Sequence, residues 1–391
     1  MQKVFGRIFG EHESCEKFFA PGRVNLIGEH TDHEGGYVFP CAITFGINAI
    51  VAKNNLGKLR LYSMNMDGSF DTPFEIRYGE IENLDANSIS KFERSWVKYP
   101  LSVAKILLGS NCGFDYGLDV LYSGNLPDGA GLSSSAAIEV LTGKILTDMF
   151  HLNIDGVTLA KISQQAEHFV GVKCGIMDQF AVSMSRKNHA ILLDCANLNY
   201  EYVPLKLADC KIVITNSNVA HSLVSSEYNL RREQCEAALQ DLQKVVKIEN
   251  LCDLNEQDFA KFSGVIRDPD CLRRARHAVT ENARALKAAE ELRCGNLGEF
   301  GKLMNASHVS LRDDYQVTVP ELDALAEFAW GTSGVIGSRI TGGGFGGCTV
   351  SIVRENCVEK FVNIIGEAYE KKFNRRADFY VLETEDGAKK I

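Results

Sequence analysis

Between residues 116 and 150 the chain changes its hydrophobic period twice, and no other stretch restricts the fold as much. Tyr116-Gly-Leu-Asp-Val-Leu-Tyr122 alternates, with Leu118, Val120 and Tyr122 on one face, and so predicts a strand. Asn125-Leu-Pro-Asp-Gly129 then breaks the chain as a turn. Residues 136–150 carry Ala137, Ile138, Leu141, Ile145 and Met149 at steps of three and four, the spacing of a largely buried helix. The junction between strand and helix is Gly129-Ala-Gly-Leu-Ser-Ser-Ser-Ala136. Small residues there let backbone N–H groups approach an anion, and the amino end of the following helix adds partial positive charge, the outline of a phosphate cradle. The same residues also suit a glycine-rich turn with a serine cap. The lysine of a Walker A loop is absent, although Ser135 can supply the hydroxyl that such loops place on Mg²⁺.

Three further stretches stand out. Ala20-Pro-Gly-Arg-Val-Asn-Leu-Ile-Gly-Glu-His-Thr-Asp-His-Glu-Gly-Gly36 crowds Arg23, Asn25, Glu29, His30, Thr31 and Asp32 into what reads as a tight polar loop. A solvated turn is one reading. Contiguous residues seldom close a tetrahedral metal site, whereas a fan of acceptors with a donor suits a polyol, whose hydroxyls each give and take a hydrogen bond. Cys174-Gly-Ile-Met-Asp-Gln179 sets Asp178 among apolar residues, where a carboxylate is costly unless paired, although a lone Asp is more often a cap or a surface group. Gly342-Gly-Gly-Phe-Gly-Gly347 satisfies G-x-G-x-x-G in letters, but a dinucleotide loop opens a helix and Cys348-Thr-Val-Ser-Ile-Val353 alternates as a strand. A backbone hairpin passing close to another loop or a ligand fits better.

The 391 residues exceed one typical domain, and 42 Lys+Arg against 51 Asp+Glu give a formal charge of −9, which argues against a nucleic-acid scaffold. At 45% hydrophobic and 24% charged residues the composition excludes disorder, collagen and coiled coil. There is no long uncharged apolar run, and charges interrupt the first residues before a signal-peptide core, so a cytoplasmic protein with no membrane partner is expected. The twelve scattered cysteines read as reduced thiols. Ala190-Ile-Leu-Leu-Asp194 and Lys211-Ile-Val-Ile-Thr215 are strand candidates, and the polar stretch between them suggests a domain boundary near residue 205. Ser225 or Ser226 would cap a helix with a stripe of Cys235, Ala238, Leu239, Leu242 and Val245. Residues 320–330 form a further helix between Pro320 and Gly331, and the polar residues 383–391 are expected to fray.

Together the four stretches resemble the GHMP kinase superfamily, and within it the members that phosphorylate galactose. The resemblance runs in order from Phe19-Ala-Pro-Gly-Arg23 to Ser338-Arg-Ile-Thr-Gly-Gly-Gly-Phe-Gly-Gly347. It includes Leu61-Tyr-Ser63, Thr215-Asn-Ser-Asn218, Ser225-Ser-Glu-Tyr228 and Arg312-Asp-Asp-Tyr315. It implies an α+β, two-domain fold, residues 1–205 with the nucleotide loop and residues 206–391 closing the sugar site, with the active site in the cleft between them. It further implies that Glu29, His30, Thr31, Asp32, Gly175 and Tyr228 bind the sugar. Ser63, Gly129, Ala130, Gly131, Leu132, Ser133, Ser134 and Ser135 would bind ATP, Ser135 and Glu167 would hold Mg²⁺, and Asp178 and Arg23 would be catalytic. The expected partner is a small sugar, with no nucleic acid; oligomeric state stays open, a monomer included. Two departures from the family pattern are His33 and Glu34, where Tyr-Asn is usual after Asp32, and a Glu167–Asp178 separation of eleven residues where twelve is usual. Rival readings are a kinase for arabinose, N-acetylgalactosamine or a uronic acid, and a silent galactose and ATP sensor. Glu34 counts against the uronate, which would favour added positive charge in this loop.

Overall fold

The computed structural model describes residues 1–109, 114–127, 129–219 and 224–391. Asp128 of the predicted turn, and the side chains of the capping candidates Ser225 and Ser226, lie outside the described set.

The strand Gly117–Gly124 lies inside a six-stranded sheet ordered Lys389–Lys390, Glu16–Asn25, Pro40–Asn54, Gly117–Gly124, Lys58–Ser63, Phe74–Arg77. Its pairing with Lys58–Ser63 is parallel, while the sheet's other pairings are antiparallel. Leu118, Val120 and Tyr122 share one core with Leu141, Ile145 and Met149 of the helix Ser134–Met149, as the two periodicities require. Each aliphatic side chain buried this way contributes roughly 1.5–3 kcal/mol. Leu121, on the opposite face, packs against Phe5 and Phe9 of the helix Gln2–Phe9.

The carboxy-terminal half is built on a four-stranded antiparallel sheet, Val335–Thr341, Cys348–Arg354, Cys210–Asn216, Asp378–Leu382. The period-two pattern at 211–215 sorts its residues: Ile212 and Ile214 face a core with Ala285 and Phe300, and Val213 faces one with Leu325 and Phe361. The first of these cores also contains Val24, Leu26 and Phe39, so it is common to both halves. Residues 205–209 connect Tyr200–Pro204, in a small third sheet, to Cys210–Asn216.

The helix Pro320–Trp330 has the expected bounds, with proline in its first turn and Gly331 at its end. The helix Val224–Leu242 buries Cys235, Ala238 and Leu242, but it stops short of Val245, which is 47% exposed. The terminal residues do not fray. Lys389 and Lys390 pair with Phe19 and Phe18, the Gly387 N–H donates to the Ser185 carbonyl at 2.8 Å, and the Ile391 N–H donates to the Lys17 carbonyl at 2.9 Å. An open sheet edge takes up backbone groups whatever the side chains, so polarity alone misleads there. Among the described residues all cysteines are free, no cluster of three His, Cys, Asp or Glu can hold a metal, and no helix is long and apolar enough to cross a membrane.

Candidate active site

The strand Glu16–Asn25 changes register between Pro21 and Gly22, beside the glycine-serine loop: the Arg23 N–H donates to the Leu132 carbonyl at 3.3 Å. From this kink the Arg23 side chain runs between that loop and Asp178. Its Nη1 donates to the Gly131 carbonyl at 2.7 Å, and Nε and Nη2 donate to the two Asp178 oxygens at 2.7 and 2.8 Å. Such a fork fixes both partners in one plane. Asp178 stands in the first turn of the helix Met177–Met184 and also accepts from Ser133 Oγ at 2.6 Å. Ser133 has φ 63°, a left-handed conformation uncommon for a residue with a Cβ, and this hydrogen bond helps hold it. The sequence singled out Asp178 and the loop separately, and the fold joins them through Arg23.

The polar loop after this strand sorts its residues. Asp32 faces a cleft of about 440 Å³ together with Glu29, His30, Gly175, Tyr228 and Asp178. A Cβ on Gly175 would stand 1.9 Å from Asp32 Oδ2, so only glycine leaves the carboxylate its place. Burial pushes the Asp32 carboxyl up, but the His33 hydrogen bond, the neighbouring histidines and the Met177 N–H outweigh it and hold it below the usual value. Burial and the nearby His33 and His277 lower His30 well below the ordinary histidine range, and among the described residues its buried Nε2 has no hydrogen-bond partner. Glu29 accepts from Asn25 Nδ2 at 2.6 Å and from the Gly342 N–H at 2.7 Å, with Arg339 Nη2 at 3.4 Å. It thereby ties the loop to the glycine run. A Cβ on Gly342 would meet the Gly131 carbonyl at 2.8 Å, the close backbone approach that the hairpin reading requires. Thr31 is the exception among the loop residues: it is fully buried, its hydroxyl lies 2.9 and 2.8 Å from the Gly28 and Tyr37 carbonyls, and it does not line the cleft. Its role is to close the loop on itself.

On the other side of Asp178, Ser135 Oγ donates to Glu167 Oε1 at 2.8 Å, and Gln179 Nε2 donates to Glu167 Oε2. Burial, reinforced by the Asp178 charge, raises the Glu167 carboxyl. Two adjacent hard oxygen donors in a negative setting suit Mg²⁺, which binds through one or two carboxylates plus substrate phosphates and needs no all-protein cage.

The cavities run in series. The cleft meets a hollow of about 210 Å³ whose wall includes Gly129, Ala130, Gly131, Leu132, Ser133 and Ser134, and the two share Arg23, Asp178 and Gly343. That hollow shares Leu126, Ser134 and Ser135 with a third cavity of about 240 Å³, lined by Ser63, Asn65, Trp96 and Tyr99. The resemblance points to Ser63; Asn65, Trp96 and Tyr99 line the same cavity, and no local sequence pattern connects them.

Family models match in three places: the galactokinase galactose-binding signature over residues 3–53, the GHMP kinase N-terminal domain over 98–186 and the GHMP kinase C-terminal domain over 285–371. A galactokinase of Bacillus subtilis is 47% identical across 100% of this chain and 98% of its own length, and one of Fusobacterium nucleatum is 50% identical with the same coverage. The chain belongs to the galactokinase family. It is therefore an ATP-dependent sugar kinase built as an α+β GHMP fold. A solved galactokinase of Lactococcus lactis, crystallised with galactose, superposes on this family member with TM-score 0.94 at 40% identity, covering 100% of this chain and 98% of its own. A mevalonate kinase at TM-score 0.65 and 18% identity shares the fold.

Proposed function

We propose that this kinase transfers the γ-phosphoryl group of ATP to the anomeric hydroxyl of α-D-galactose, giving galactose 1-phosphate and ADP. The observation that carries the reading is the common wall of the first two cavities, where Arg23 and Asp178 stand between the polar loop and the glycine-serine loop. Galactose occupies the cleft, its hydroxyls meeting Asp32, Glu29, the unpaired His30 nitrogen and Tyr228. The triphosphate lies along residues 129–135, and the base enters the cavity of Trp96 and Tyr99 with Ser63 at its edge. Phosphoryl transfer asks for positioning and charge neutralisation more than for covalent chemistry. Arg23 and the loop N–H groups meet the phosphoryl charge, and Asp178 orients the hydroxyl and receives its proton. Ser135 and Glu167 would hold Mg²⁺, which supplies further charge neutralisation on the phosphates. The working place is the cytoplasm, residues 1–205 carry the nucleotide loop and residues 206–391 complete the sugar site.

A coupled ADP-release assay over a panel of monosaccharides tests the reading. Galactose should give the highest kcat/KM. A preference for arabinose, N-acetylgalactosamine or a uronic acid would replace the substrate, and binding of both ligands without turnover would make the protein a sensor.

A further inference from the structure

His33 occupies the meeting point of the polar loop with the carboxy-terminal half, and its side chain is 1% exposed. Its Nδ1 lies 3.1 Å from Asp32 Oδ1 and 3.3 Å from the Tyr228 hydroxyl; its Nε2 lies 3.2 Å from the Tyr315 hydroxyl and 3.5 Å from Glu34 Oε1. Asp32 and Tyr228 line the sugar cleft, whereas Glu34 is buried behind the ring and away from it. A neutral imidazole has one N–H and donates on one side only, while an imidazolium donates on both.

We propose that His33 is the positioning residue of the sugar site, fixing Asp32 through one ring nitrogen while Glu34 and Tyr315 anchor the other, so that galactose affinity follows the proton on this ring and ATP affinity does not. The proposal rests on the assignment of the cleft to the sugar. The groups facing the ring set its direction of titration. Asp32 and Glu34 lie on its own loop, with His30 at a ring distance of 6.1 Å; Tyr228 and Arg232 come from the helix Val224–Leu242, and Tyr315 from the segment Leu311–Tyr315. Burial and Arg232 push the imidazole down, but the Asp32 hydrogen bond and the two carboxylate charges prevail and raise it above the ordinary histidine value. The doubly protonated ring thus persists to higher pH than in a free histidine. As pH rises through the raised pKa one proton leaves, Nε2 can turn acceptor for the Tyr315 hydroxyl, and the hold of Nδ1 on Asp32 weakens from a charge-assisted hydrogen bond to a neutral donor's.

The test is calorimetric titration of the whole protein with galactose, and separately with ATP, between pH 6 and 9. The galactose Kd should rise up to roughly tenfold toward alkaline pH, the scale on which a charge-assisted hydrogen bond loses its ionic part. The ATP Kd should stay flat. In Glu34→Gln the rise should begin at lower pH, and in His33→Asn the galactose Kd should no longer depend on pH. A wild-type galactose Kd that is constant over the range overturns the proposal without any variant, as does a rise that persists in His33→Asn. Asp32→Ala separates the two layers of argument: unimpaired galactose binding in that variant would overturn the sugar assignment itself, and with it the role of His33.

Discussion

Arg23 and Asp178 are 155 positions apart in sequence, yet the guanidinium holds both carboxylate oxygens, at 2.7 and 2.8 Å, while its remaining terminal nitrogen donates to the Gly131 carbonyl. One side chain thereby sets the distance between the group assigned to the hydroxyl proton and the loop assigned to the phosphates. Asp178→Asn keeps the shape but removes the base. The expected result is a fall in kcat of about 10² or more, with ATP binding retained. Steady-state ADP release and a nucleotide titration of the same preparation check it.

Asp32→Ala should act on the other ligand. A buried polar partner left unpaired costs about 1–3 kcal/mol, so the galactose KM should rise roughly tenfold to a hundredfold while the ATP KM holds. Gly175→Ala should move the galactose KM in the same direction without touching any charge, because its new Cβ would claim the space of Asp32 Oδ2. Equal damage to both ligands would point to misfolding instead.

These residues divide by how far their signals travel along the chain. The loop 129–135 was legible because its strand and helix announce themselves by period within some thirty residues. Asp178 was only a weak local signal, a carboxylate among apolar neighbours that also suits a cap, and its catalytic role came from the family resemblance; its partner and the Ser133 hydrogen bond belong to tertiary structure. The resemblance places Thr31 among the sugar ligands, and composition does not say which way a side chain turns; backbone carbonyls three and six residues away hold its hydroxyl. The carboxy-terminal strand, and the cavity of Trp96 and Tyr99, come from pairings that no local window contains.

Replacement of Ser135 by Ala or Glu167 by Gln should raise the Mg²⁺ concentration for half-maximal activity. It should also weaken Mg²⁺ binding measured by calorimetry in the presence of ADP, with galactose binding unaffected. An unchanged Mg²⁺ requirement in both variants would remove these two residues from the metal site.

His277 makes stability depend on acid. Its Nε2–H donates to the Glu29 carbonyl at 3.0 Å and its Nδ1 accepts from the Ser310 hydroxyl at 2.9 Å, a neutral ring with both nitrogens used. Burial, opposed by Glu281 and aided by Arg284 and Arg339, lowers its pKa from 6.5 to about 4. Between those values the unfolded chain takes up a proton that the folded chain refuses, so stability falls as pH drops, by on the order of 3 kcal/mol across the window. Urea unfolding at pH 7 and pH 5 should show about 2 kcal/mol of this loss, and His277→Gln should show a smaller difference between the two.

A crystal of the protein with galactose and a non-hydrolysable ATP analogue tests the central claim most directly. The account predicts the sugar's anomeric hydroxyl against the Asp178 carboxylate, the terminal phosphate beside Arg23, and the two groups facing each other across their shared wall. A sugar bound with its first carbon turned away from Asp178, or a phosphate chain that leaves residues 129–135 uncontacted, would contradict it.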